Sequence, residues 1–151
     1  MRRKEINVPL ILKYEIVPEG IWERLFYFFH EQRFEWEIPK DIHYILSDGS
    51  EVIVEKGFIC DLCSIPPFLH SFVSPYSSTV LAYILHDWMY KNNYKLDELG
   101  EQQARLFADN EMLFYANKLD KEKEKTNEFL YKNVRLFGGK IYARNIKDGK
   151  F

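Results

Sequence analysis

The chain has 151 residues, which at roughly 100–200 per domain reads as a single domain, 1–151. Its 21 Lys and Arg against 23 Asp and Glu leave a net charge of −2, unlike the basic balance of a general nucleic-acid binder. Hydrophobic residues at 46% exclude disorder for most of the chain, and two Cys exclude a disulfide scaffold.

Residues 7–16 read as a strand. Pro18 then precedes Ile21, Trp22, Leu25, Phe26, Phe28 and Phe29, a helical spacing that marks 18–33 as a helical segment. Residues 34–38 and 41–46 look extended. Ser47-Asp48-Gly49-Ser50 is a hairpin turn leading into a strand at 51–54. The chain next enters a loop, Ile59-Cys60-Asp61-Leu62-Cys63-Ser64-Ile65-Pro66-Pro67, where two prolines stop regular structure.

Helices follow. One is expected over 79–92, with Ser77, Ser78 or Thr79 as its cap. A second is expected from Asp97 to Lys118. A third runs from a Thr126 cap, with Phe129, Leu130, Val134 and Phe137 turned inward, to a stop at Gly138-Gly139. Residues 118–125 read as a solvated connector and 143–151 as a basic tail. Strands first and helices after give an α+β fold, a small antiparallel sheet packed on three or four helices. No apolar run of 18 residues and no cleavage signal appear, so neither a membrane span nor a signal peptide is expected.

The helix over 79–92 carries two stripes. Leu81, Ile84, Leu85 and Trp88 form an apolar face. Tyr83, His86, Asp87 and Tyr90 form a second face bearing an imidazole, a carboxylate and two phenols. In so apolar a helix such groups need partners, either as a site or as a structural network. Asp61, in the Pro-rich loop, and Asp109, inside an apolar helix with Arg105 one turn before it, are the carboxylates that fit the same site. His86, Asp87, Asp61 and Asp109 are therefore the candidate catalytic residues. They are also the candidate ligands of one divalent ion, for which mixed imidazole and carboxylate donors suit zinc or manganese. Tyr90, Arg105, Ser64 and Tyr83 are the candidate substrate-binding residues. Ser64 is also weighed as a nucleophile, against a turn residue that bonds its own backbone. Cys60 and Cys63 are spaced as C-x-x-C but lack further ligands nearby, and read as two reduced, metal-free thiols.

Four motifs then stand in order: Gly57-Phe58-x-x-Asp61-x-x-Ser64-Ile65-Pro66, His86-Asp87-Trp88-x-Tyr90, Arg105-x-x-Ala108-Asp109 and Val134-Arg135-x-Phe137-Gly138-Gly139. The set, over about residues 40–142, resembles a phage and prophage domain family of unknown function. The chain departs from that family's pattern at Cys60, where Thr is usual, at Cys63, where a small residue is usual, and in 18–33, which looks like an insertion. The resemblance implies a viral protein, placed in the cytoplasm of an infected bacterium or in the virion, and transfers no chemistry. His86-Asp87-x-x-Tyr90 also resembles the helix of secreted calcium-dependent phospholipases, where the His activates water and the adjacent Asp binds calcium. Those enzymes are disulfide-rich and carry a glycine-rich calcium loop, which this chain lacks.

Two functions are left standing. One is a divalent-metal hydrolase using the Asp61, His86, Asp87 and Asp109 cluster, which the residue types favour. The other is a non-catalytic viral protein: a virion component, an assembly factor or a binder of a host molecule. In it the cluster is a structural polar network and aromatic surface meets a viral or host protein. From Lys132 to Phe151 six cations stand against Asp148 alone, a net of +5, read as a solvated tail or a phosphate-binding one.

Overall fold

A computed structural model describes residues 11–15, 34–60 and 78–148. The expected insertion at 18–33 and the candidate residues Asp61, Cys63 and Ser64 lie outside them. The described part is α+β, with short antiparallel strands followed by helices.

Strands β1 (Ile11–Glu15), β2 (Phe34–Glu37) and β5 (Ile59–Cys60) make one antiparallel sheet in the order β1-β2-β5. Trp36 stands opposite Cys60 in it. Strands β3 (Ile42–Ile45) and β4 (Glu51–Val54) form the expected hairpin, in register from Ile42 opposite Val54 to Ile45 opposite Glu51. Asp48 Oδ1 accepts from the backbone N (2.9 Å) and hydroxyl (2.6 Å) of Ser50. Gly49 takes φ +84°, a left-handed turn conformation that favours glycine. The strands alternate as a one-sided sheet should. Tyr44, Leu46, Val52 and Val54 enter the core, while His43, Ile45, Glu51 and Ile53 face out.

The hairpin is tied to the helices by polar bonds. Glu111, 1% exposed, accepts from the Ser47 backbone N at 3.1 Å and from its hydroxyl, and the Tyr115 hydroxyl donates to the Ile45 carbonyl. Both belong to the same long helix.

The helices are α1 (Val80–Lys91), α2 (Leu96–Leu99), α3 (Glu101–Leu119), α4 (Glu124–Phe137) and α5 (Gly139–Asp148). Three expectations change. The helix expected from Asp97 is split, because Gly100 adopts φ +78° between α2 and α3. Helix α4 begins at Glu124 rather than at a Thr126 cap, after a 3-10 turn over Lys121–Lys123 that the Asp120 side chain caps. Gly138 ends α4 as expected, but α5 follows at once, so residues 143–148 of the expected tail are helical.

The side chains are also redistributed. Helix α1 is buried on nearly all sides, and Tyr83, His86, Asp87 and Tyr90 are buried more completely than Leu81 and Trp88, which are half-buried. Trp88 lies at the core's edge against Tyr94, with ring centroids 5.8 Å apart. On α4 the inward face is Asn127, Leu130 and Val134, whereas Phe129 (46%) and Phe137 (53%) are exposed. Phe129 is one residue, about 100° of helix, off that face. Phe137 is the last residue of α4, beside carbonyls that Arg105 has already engaged.

Candidate functional site

Asp109 is the hub of a buried polar cluster. It sits mid-way along α3 and is wholly buried. An ionised carboxylate there needs donors on most of its lone pairs. Its Oδ1 receives His86 Nε2 at 2.6 Å and the Tyr90 hydroxyl at 2.6 Å, both from α1. Its Oδ2 receives Arg135 Nη1 from α4 at 2.6 Å, and Arg105 Nε stands 3.7 Å away, one turn back on α3.

Burial pushes the Asp109 carboxyl upward. The bonds from His86, Tyr90 and Arg135 outweigh it and hold the group below its ordinary carboxylate range. Burial, then the neighbouring Asp109, pushes the Tyr90 phenol up, so it stays protonated and donates.

Arg105 braces the cluster from behind. Its Nε donates to the Tyr90 hydroxyl at 3.2 Å. Its Nη2 donates to the carbonyls of Val134 (2.9 Å) and Arg135 (2.7 Å), at the C-terminal end of α4 where a cation opposes the helix dipole. The two glycines after α4 permit this approach. A Cβ on Gly138 would lie 2.7 Å from the Val134 carbonyl and 3.3 Å from the Tyr90 hydroxyl. One on Gly139 would lie 3.2 Å from Arg105 Nη1. The Tyr142 ring of α5 closes over Tyr90 with centroids 4.9 Å apart.

Of the expected site residues, His86, Asp109, Tyr90 and Arg105 meet directly. Asp87 is buried at 2% but takes another direction. Its Oδ2 pairs with Lys91 Nζ at 3.2 Å, and that ammonium also donates to the Ile59 carbonyl of β5 at 2.9 Å and lies over the Phe58 ring. Neighbouring helix positions diverge by about 100°, so His86 reaches α3 while Asp87 pairs with Lys91, which bonds β5. Tyr83 is buried, and burial raises its phenol, but it makes no bond to Asp109.

Arg135 is the participant that sequence reasoning did not place in the site. It was grouped with the cations of the C-terminal segment. The signal that would have found it is its position between Val134 and the Gly138-Gly139 pair, in the last of the four ordered motifs.

Among the described residues, no group of three or more His, Cys, Asp or Glu side chains is placed to hold a metal ion. Both Asp109 oxygens serve the hub, and His86 turns Nε2 to it. Cys60 is buried on β5. No helix among the described residues is long and apolar enough to cross a membrane.

The model of a family described as a protein of unknown function, DUF1353, matches residues 36–134. That span includes His86, Tyr90, Arg105 and Asp109. No curated protein and no solved structure gives a significant match.

Proposed function

The chain belongs to the DUF1353 family, and from that footing we propose that it is a phage-encoded small hydrolase in which His86 is the general base and Asp109 orients it. The observation that carries this is the 2.6 Å contact between His86 Nε2 and Asp109 Oδ1. An ionised carboxylate only accepts, so His86 Nε2 carries a proton and donates in this contact. The imidazole takes a proton from water as the water oxygen attacks the carbonyl carbon or phosphorus of an ester, amide or phosphoester, and returns it to the departing alcohol or amine as the old bond breaks. Asp109 stabilises the imidazolium that forms. Tyr90, Arg105 and Arg135 keep Asp109 ionised and fixed, so they are positioning residues. The phage assignment and the role of His86 agree with the two sequence resemblances.

The described residues do not by themselves make a zinc or manganese site. Asp61, the remaining candidate ligand, lies outside the described residues.

A second reading is favoured by a different observation: His86 and Asp109 are both fully buried. In it the cluster only fastens α1, α3 and α4 together, and the protein acts by meeting a viral or host protein through its aromatic surface.

A panel of chromogenic esters, amides and phosphoesters separates the two. The hydrolase reading expects turnover by the parent that His86→Gln lowers about a hundredfold or more, the scale of general-base catalysis, with the fold retained by circular dichroism. Turnover unchanged in folded His86→Gln, or none in the parent, favours the structural reading.

A further inference from the structure

Helices α4 and α5 continue one another through Gly138. The Gly138 N donates to the Val134 carbonyl at 2.8 Å and the Tyr142 N to the Gly138 carbonyl at 3.1 Å, both one helical turn back. Along this helical run, Lys132, Leu136, Lys140, Arg144 and Lys147 recur at spacings of four, four, four and three, and all five are exposed. Such spacing puts them on one outer face. The opposite face of α5 is turned inward, with Tyr142 in the core and Ile146 packed against it. Asp148 is the one acidic residue in 132–148. None of the four cations pairs with a carboxylate among the described residues, whereas Lys91, Lys95, Lys123 and Arg135 do. The chain's net charge of −2 hides this segregation, since +5 over 132–151 leaves −7 for residues 1–131.

We propose that this outer face is a track for the phosphate backbone of nucleic acid. From Lys132 to Lys147 it extends about 22 Å at about 1.5 Å per residue, with cations at rises of about 5–12 Å. A duplex presents phosphates every 3.4 Å or so along each strand, within reach of flexible lysines. Three features single out this partner. Three of the four cations are Lys, which protein interfaces avoid. A helix lying on a membrane buries its apolar face in lipid, but the apolar face of α5 is already packed against the core. Flexible cations spaced along a helix meet phosphates whatever the sequence, so binding is set by charge. It lies apart from the Asp109 cluster and does not rest on the hydrolase reading.

The test is fluorescence anisotropy of the full chain on a labelled duplex of about 20 base pairs, over a series of salt concentrations. Binding at low salt is expected, weakening linearly in log–log form as salt rises. The triple variant Lys140→Gln, Arg144→Gln, Lys147→Gln should lose at least about tenfold in affinity. Its salt slope should become shallower by about 2.7, at about 0.9 per phosphate contact. A control with the same change in net charge, Lys40→Gln, Lys56→Gln, Lys118→Gln, lies outside the α4–α5 run and should bind like the parent. Melting curves of all three establish that each is folded. No binding by the parent at low salt overturns the proposal, as does equal loss in both triple variants. Tighter binding to polyglutamate or to vesicles of anionic lipid than to the duplex overturns it in favour of a protein or membrane partner.

Discussion

His86 and Asp109 lie on different helices, 23 residues apart in sequence, and meet at 2.6 Å with no solvent exposure of either side chain. Three further side chains converge on this carboxylate. Tyr90 shares its Oδ1, Arg135 holds its Oδ2, and Arg105 fixes both Tyr90 and the end of α4. Removing the carboxylate charge should therefore strand several groups at once. Asp109→Ala is expected to cost about 3–5 kcal/mol, the scale for breaking a buried ion pair, and Tyr90→Phe about 1–3 kcal/mol for one lost buried bond. Denaturant melts of the two variants rank these losses.

Acid sensitivity follows from the same carboxylate. Its folded value is depressed below the ordinary 3.8, so its contribution is fully present above that value. It is lost as pH falls from near 3.8 through the lower folded value. Exposed Asp48, held low by bonds from Ser50 and Lys95, titrates in the same direction. The difference between parent and Asp109→Asn isolates the buried group. The variant's stability should fall less steeply with pH below about 4, as melts across that range would show.

The α4–α5 junction should not tolerate a methyl group. Gly138→Ala places a Cβ 2.7 Å from a backbone carbonyl that is fixed by helix bonding, and is expected to cost about 1–3 kcal/mol, as overpacking does. Gly139→Ala meets only the end of the Arg105 side chain at 3.2 Å, which can shift, and should cost less. Thermal melts compare the two.

These residues also show what sequence can and cannot reveal. Asp109, His86, Tyr90 and Arg105 stood out because polar groups on apolar helices must find one another, and they do. The hairpin was legible because its turn chemistry is local. Asp87 shared the pattern, yet its bond to Lys91 carries it to β5. Trp88, Phe129 and Phe137 were misplaced because periodicity gives a face without saying which neighbour covers it. Gly138-Gly139 read as a stop, whereas the pair lets Arg105 and Tyr90 approach a chain that continues as helix. The value of glycine there lies in tertiary contacts that no local pattern contains.

Helix α1 offers a direct check on the packing. Ile84 is fully buried, so Ile84→Ala should cost about 2–5 kcal/mol. Half-buried Trp88, for all its size, should cost less than the about 3–5 kcal/mol of a core Trp→Ala. Equal or reversed losses in denaturant melts would place Trp88 in the core after all.

The hairpin's attachment is separable from the Asp109 cluster. Glu111→Ala removes the acceptor for the Ser47 amide and hydroxyl, and should cost about 1–3 kcal/mol. Amide exchange should accelerate at Ser47, while the His86 environment stays as in the parent.

A long-range proton–nitrogen spectrum of the histidine rings reads directly how Asp109 holds the imidazole of His86. His86 Nε2 should show the signature of a protonated nitrogen donating to Asp109. In folded Asp109→Asn that signature should be lost or shared between the two nitrogens. A His86 ring protonated on Nδ1 with bare Nε2, or a spectrum unchanged by Asp109→Asn, would contradict it.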